Sequence, residues 1–244
     1  MGNAAEYAAD YVTEDEPLLA ARANAVDLGG TEPVRPAVGA ALRFIACAVG
    51  VKTAVEVGTG CGSSGIWLLR GMRPGGTLTS VDTEPEYQRM ARQAFGQAGF
   101  AANQYRLILG RALDVLPRLS DGAYDLVFCD TDPAEYPDYL TAALRLLRPG
   151  GVVVFNDTLS LAAPDSSGSS DSSVRDYYGQ FSGGIAEEPS AVLDVASTVR
   201  DDERLVPMLL PLGDGLLAAV KRLPDHGLKR LAQPRGFVSC QLDD

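Results

Sequence analysis

Val55-Glu56-Val57-Gly58-Thr59-Gly60-Cys61-Gly62-Ser63-Ser64-Gly65 is the stretch on which the reading of this chain turns. A β-branched run enters it and a helical pattern leaves it. The glycines therefore fall at a strand-to-helix turn, where missing Cβ atoms let the backbone come close to a ligand. Asp82 closes the next apolar run, Thr77–Val81, where a carboxylate can accept both hydrogen bonds of a ribose diol. The pattern leaves two cofactor classes open, because Gly60-Cys61-Gly62-Ser63-Ser64-Gly65 also satisfies the dinucleotide pattern GxGxxG, with Asp82 at a suitable distance. Glu56 tilts the choice, since a carboxylate at the strand's end repels a pyrophosphate. The Tyr-x-x-x-Lys pair of alcohol-type dehydrogenases is also absent: Lys52, Lys221 and Lys229 follow Ala48, Leu217 and Asp225 at that spacing.

Outward from this turn, short apolar runs alternate with helical patterns, as βαβ units require. The strands expected are Thr53–Val57, Thr77–Val81, Arg106–Leu109, Leu126–Cys129 and Val152–Phe155, followed by Leu205–Leu210 and Leu216–Lys221 around the turn Pro211-Leu212-Gly213-Asp214-Gly215. Thr83-Glu84-Pro85-Glu86 reads as a capping box opening a helix, and Tyr139–Leu147 as another helix. Glu6–Ala25 and Pro36–Val49 form a helical preface. The fold expected is α/β: a doubly wound, mainly parallel seven-stranded sheet with a C-terminal antiparallel hairpin. Residues 1–222 form one domain, with the preface at 1–50 and a variable Ser-rich loop region at 158–189; residues 223–244 are a tail.

A chain of 244 residues with 46% apolar and 22% charged residues has material for a sizeable core. Its net charge of −11 opposes a phosphate backbone, which argues against nucleic acid as partner and for small molecules. The longest nearly apolar stretch, Val38–Val51, is interrupted by Arg43 and is too short for a membrane span. Glu6, Asp10, Glu14 and Asp15 stand where a secretion signal would be basic and then apolar, and the four cysteines lack CxxC spacing. A reducing, cytoplasmic setting is expected.

The chain resembles the catechol and caffeoyl-CoA O-methyltransferase family, most closely its actinobacterial branch, from about Pro17 through Arg222. The resemblance is carried by Pro33-Val34-Arg35-Pro36-Ala37-Val38-Gly39, the Glu56 loop, Val81-Asp82, Gly110-Arg111-Ala112-Leu113-Asp114-Val115-Leu116-Pro117 and Tyr124-Asp125-Leu126-Val127-Phe128-Cys129-Asp130. It implies a Rossmann-like methyltransferase fold and S-adenosylmethionine as cofactor. Val34, Gly58, Thr59, Gly60 and Ser64 would then surround the cofactor. Glu56 would hold the glycine loop or the cofactor, Asp82 the ribose, and Ala112 with Leu113 would lie beside adenine. Asp130 would stand near the sulfonium and the acceptor, a small hydroxylated, catechol-like aromatic. Relatives of this type are often homodimers, for which the preface could supply the contact.

Departures from the family bear on the chemistry. Metal-dependent members carry Asp-Asn after the Pro-Gly-Gly strand, whereas this chain has Asn156-Asp157, so Asp130, Asn156 and Asp157 are the candidates for Mg²⁺ or another divalent cation. Alternation along a strand exchanges carboxylate for amide unless the strand has already ended. The family's catalytic lysine is replaced by Pro133, and Asp132 is the nearest substitute, either as base or as a turn residue. His226 and Cys61 read as turn and packing residues, while Tyr177, Tyr178 and Phe181 could close over an acceptor. Two other readings stay open: an NAD(P)-dependent oxidoreductase, and an S-adenosylmethionine-binding protein with impaired catalysis.

Overall fold

The computed structural model describes residue 7 and residues 11–159 and 191–224. Most of the expected loop region 158–189 and tail 223–244 lies outside the described residues, as do Tyr177, Tyr178, Phe181 and His226.

Two helices precede the sheet, α1 (Glu16–Leu28) and α2 (Pro36–Val49), each with a proline in its first turn, where a missing N–H leaves no bond unmade. The sequence places the first helix at Glu6–Ala25. Residues 11–15 are not helical, however, because the ring of Pro17 would clash with the carbonyl of residue 13 in any helix arriving from upstream.

The seven strands are β1 (Thr53–Val57), β2 (Thr77–Asp82), β3 (Tyr105–Leu109), β4 (Tyr124–Cys129), β5 (Leu147–Phe155), β6 (Leu205–Leu210) and β7 (Leu216–Lys221). Their spatial order is β3-β2-β1-β4-β5-β7-β6. β1 through β5 pair in parallel, while β7 runs antiparallel between β5 and β6. The crossovers carry α3 (Ser63–Gly71), α4 (Pro85–Gln97), α5 (Ala112–Val115) and α6 (Tyr136–Leu146); α7 (Ala191–Asp201) precedes β6. The expected architecture is the observed one.

Strand alternation divides the core between the two faces. Ala54, Leu126, Phe128 and Val154 pack with Leu18, Leu42, Trp67 and Phe95 of the preface, α3 and α4. Val55, Val127, Cys129 and Phe155 pack with Tyr136, Leu140, Val195 and Val199 of α6 and α7. Because both faces are covered, the central strands are almost wholly apolar.

Two local expectations need correcting. The capping box does not form: Glu84 is the N-cap of α4 without a side-chain cap bond, and the carboxylate of Asp82 accepts from the Glu84 N–H instead. β5 begins at Leu147 and includes Pro149-Gly150-Gly151, because Leu147 pairs with Tyr124 across a register shift before Val152 pairs with Leu126.

The order reverses between β1 and β4, which leaves a crevice at their carboxyl ends, where doubly wound sheets bind ligands.

Candidate active site

The glycine turn runs from β1 into α3 and packs against the end of β4. Gly58 has φ +93°, and a Cβ there would stand 2.2 Å from the backbone oxygen of Asp130, so only glycine lets the two strand ends approach this closely. The turn's N–H groups are largely committed. Gly58 donates to the Val81 carbonyl, Thr59 and Gly60 donate to Asp82 Oδ2 at 2.9 and 3.0 Å, and Gly62 donates to the Thr59 carbonyl. Asp82 thus shapes the turn that the ligand meets, with Oδ1 capping Glu84.

Beneath the turn Glu56 is fully buried. Ser64 Oγ donates to its Oε1 at 2.7 Å and Ser80 Oγ to its Oε2 at 2.6 Å, while Ser80 Oγ also lies 2.7 Å from Thr59 Oγ1. Burial outweighs these hydrogen bonds and lifts the Glu56 carboxyl to about 8, with Asp130 and Asp82 pushing the same way. Of the two roles expected for Glu56, the geometry selects the first: it holds the loop from behind and does not line the cleft. Ser80, unremarked in the sequence, is the link between Glu56 and Thr59.

The cleft has a volume of about 550 Å³. The Thr31–Val34 segment forms one wall. It is fixed by Arg22, which donates to the Val34 carbonyl at 2.8 Å and pairs with Glu14, and by Tyr87, whose hydroxyl donates to the Gly29 carbonyl at 2.8 Å. Of the residues singled out in the sequence, Val34, Gly58, Thr59, Gly60, Ser64, Asp82, Asp130 and Asp132 line the cleft. Ala112 and Leu113 do not: Ala112 opens α5 inside the second core cluster and Leu113 packs against it. Thr31, Ser63, Glu84 and Tyr87 line the cleft without having been singled out. Glu84 and Tyr87 had a legible signal, since they follow Asp82 within one helical turn.

Asp130 directly follows β4 and faces the cleft. Asn156 Nδ2 donates to its Oδ1 at 2.9 Å, yet burial and the nearby Asp157 raise its carboxyl to about 7. Asp157 is the one described non-glycine residue with positive φ, at 53°, and this left-handed turn sends its side chain into the cleft beside the buried Asn156. β5 has ended at Phe155, so strand alternation no longer separates the pair. Burial, Asp214 and Glu32 raise the Asp157 carboxyl, while Arg35, ion-paired with Asp214, lowers it. Asn156 does not line the cleft: its Nδ2 is committed to Asp130 and its Oδ1 is buried without a partner, so a cation in the cleft meets only the carboxylates of Asp130 and Asp157 here. That falls short of the three protein ligands expected from Asp130, Asn156 and Asp157 for a hard divalent cation. Asp132 Oδ1 accepts from the Ala134 N–H at 3.0 Å and so caps the turn Pro133–Glu135.

Six carboxylates line the cleft, those of Glu32, Asp82, Glu84, Asp130, Asp132 and Asp157, and no Lys, Arg or His does so among the described residues. This excess of negative charge favours a cationic ligand and repels the pyrophosphate of a dinucleotide.

A family model described as O-methyltransferase matches residues 20–222. The chain belongs to the O-methyltransferase family. A candidate O-methyltransferase of Mycobacteroides abscessus is 47% identical over 222 residues, covering 88% of this chain and 93% of the relative. A crystal structure of a Corynebacterium glutamicum protein superimposes with TM-score 0.75 at 31% identity, covering 92% of this chain and all of that one. The O-methyltransferase TomG of Streptomyces achromogenes, crystallised in complex with S-adenosylmethionine and involved in tomaymycin synthesis, has TM-score 0.71 at 26% identity, with coverage of 89% and 95%. The protein is thus an S-adenosylmethionine-dependent O-methyltransferase, which sets the oxidoreductase reading aside.

Proposed function

We propose that this methyltransferase transfers the methyl group of S-adenosylmethionine to a hydroxyl of a small, catechol-like aromatic acceptor. The observation that carries the reading is the carboxylate-lined cleft built on the Gly58 turn, with no Lys, Arg or His among its described lining residues. S-adenosylmethionine supplies a methyl carbon activated by its sulfonium sulfur. The chain's own contribution is chiefly positioning, which for oriented bimolecular reactions is worth up to about 7–11 kcal/mol. The glycine turn, held by Asp82 in front and Glu56 behind, fixes the floor, and the Thr31–Val34 wall fixes the side. Val34 and Ser64 border the methionine end of the cofactor and Asp82 its ribose.

Asp130 accepts the acceptor's hydroxyl proton. Its carboxyl, raised to about 7, suits a base at neutral pH, and Asn156 steadies it through the 2.9 Å hydrogen bond. Asp132, committed as a turn cap, holds the segment after Asp130 in place of the family's lysine. No step passes through a divalent cation.

A panel of catechols and flavonoids, assayed with Mg²⁺ and with chelator, tests the reading. Turnover is expected in both media, with kcat/KM rising as pH passes about 7 and Asp130 loses its proton. Asp130→Asn is expected to lose roughly 10²–10⁴-fold in kcat. Activity abolished by chelator and restored by Mg²⁺ would show that the Asn156 amide turns its oxygen toward a cation. Cofactor binding without turnover of any acceptor would instead support the impaired-catalysis reading.

A further inference from the structure

Glu56 sits in surroundings that suit its side chain with or without a proton. From α3 it faces Ser64 and Gly65, from β2 Ser80 and Asp82, and from beyond the end of β4 Asp130. No Lys or Arg bonds to it among the described residues. Its partners are hydroxyls, Ser64 Oγ at 2.7 Å and Ser80 Oγ at 2.6 Å, and a hydroxyl can donate to a carboxylate or accept from a carboxylic acid. Both partners lead outward. Ser64 lines the cleft itself, and Ser80 Oγ lies 2.7 Å from Oγ1 of Thr59, another residue lining the cleft, with either hydroxyl able to donate. A proton can therefore pass between the cleft and the buried carboxyl along one or two hydroxyls, while Glu56 itself stays fully buried.

The charge across the turn from this carboxyl changes in every catalytic cycle. Methyl transfer breaks the bond from carbon to sulfur and forms one from carbon to the acceptor oxygen. The electron pair stays on sulfur, which becomes a neutral thioether, and the hydroxyl proton passes to Asp130. Resting on the S-adenosylmethionine reading, we propose that Glu56 is a proton site coupled to the charge of the cofactor. It releases its proton through the hydroxyls when the sulfonium cation occupies the cleft, and takes one back from solvent when the neutral product replaces it. A cation on the far side of the turn favours the carboxylate, and a buried setting screens that attraction poorly. Burial holds the carboxyl at about 8, where such a cation shifts its occupancy at neutral pH. The protein thus offsets part of the cofactor's charge from behind the turn, and surrenders that offset once the charge is spent.

Calorimetry in buffers of different ionisation enthalpy counts the protons exchanged when S-adenosylmethionine or S-adenosylhomocysteine binds. At about pH 7.5, a tenfold fall in the proton affinity of a carboxyl at about 8 releases about half a proton. Wild-type protein is expected to release about that much more with S-adenosylmethionine than with S-adenosylhomocysteine, and Glu56→Gln to lose most of the difference. Protons exchanged by Asp130 or by the nucleoside appear in both proteins, so the comparison isolates Glu56. Infrared difference spectra of the wild-type protein provide a readout that needs no variant. The band of a protonated carboxyl should weaken with S-adenosylmethionine and persist with S-adenosylhomocysteine. Equal proton counts for the two nucleosides on wild-type protein, a difference undiminished in Glu56→Gln, or a carboxyl band indifferent to the nucleoside would overturn the coupling and leave the cofactor reading intact. Wild-type protein that bound neither nucleoside would overturn both.

Discussion

Glu56, buried, and Asp130, half-buried at the cleft, are acids that no Lys or Arg neutralises among the described residues, and their protons tie stability to pH. Burial lifts Glu56 from 4.5 to about 8 and Asp130 from 3.8 to about 7. Each binds its proton more tightly in the folded chain than in the unfolded one. Between about pH 4 and pH 8 the folded state therefore keeps protons that the unfolded state has released, and stability falls as pH rises through that window. Above it the contribution is constant. Glu56→Gln retains a neutral side chain able to bond Ser64 and Ser80, so its urea midpoint should fall less than the wild-type midpoint between about pH 5 and about pH 8.5. An identical fall in both proteins would show that Glu56 does not titrate in that range. The motif made Glu56 legible as the residue that favours this cofactor, but not its role: the hydroxyls that receive it, on Ser64 and Ser80, lie on α3 and β2, 8 and 24 positions away.

At the scale of elements, the crevice depends on how α6 is fastened to the end of β5. The hydroxyl of Tyr136, fully buried, donates to the Asn156 carbonyl at 2.8 Å, and its ring packs against Phe155 with centroids 5.0 Å apart. Tyr136→Phe keeps the ring and strands the carbonyl, so unfolding by urea should register a loss of about 1–3 kcal/mol. Because Asn156 in turn steadies Asp130, kcat should fall while affinity for S-adenosylhomocysteine stays within about twofold, the glycine turn being untouched. A drop in affinity matching the drop in kcat would mean that the fastening serves the whole cleft. None of this was visible in the helical periodicity that marks α6 by its apolar positions. Strands with a strong breaker at one end, Thr53–Val57 before Gly58, Leu205–Leu210 before Pro211 and Leu216–Lys221 after Gly215, were legible to the residue. Those set by pairing were not: β5 extends back to Leu147 because its partner Tyr124 reaches it across a register shift. Likewise, the start of α4 looked like a capping box until Asp82, from the preceding strand, took the cap.

Over the whole molecule, charge is the property that connects the sequence most directly with the ligand. A net charge of −11 surrounds a cleft lined by carboxylates alone among its described charged residues, so a cation is drawn in from a distance. S-adenosylmethionine carries a net positive charge and its demethylated product none, although the two share nearly every contact group. Raising salt from about 20 mM to about 300 mM shortens the Debye length from about 20 Å to below about 8 Å, which screens the long-range part of the attraction and leaves short contacts largely intact. Affinity for S-adenosylmethionine should therefore fall several-fold over that range, and affinity for S-adenosylhomocysteine by less than about twofold. Calorimetry at the two salt concentrations measures both. The difference bears on turnover as well as on binding: methyl transfer cancels the charge that the cleft holds, so the spent nucleoside loses its electrostatic hold when the reaction is complete. Equal salt sensitivity of the two nucleosides would mean that the carboxylates act only through local contacts, and that product release owes nothing to the change in charge.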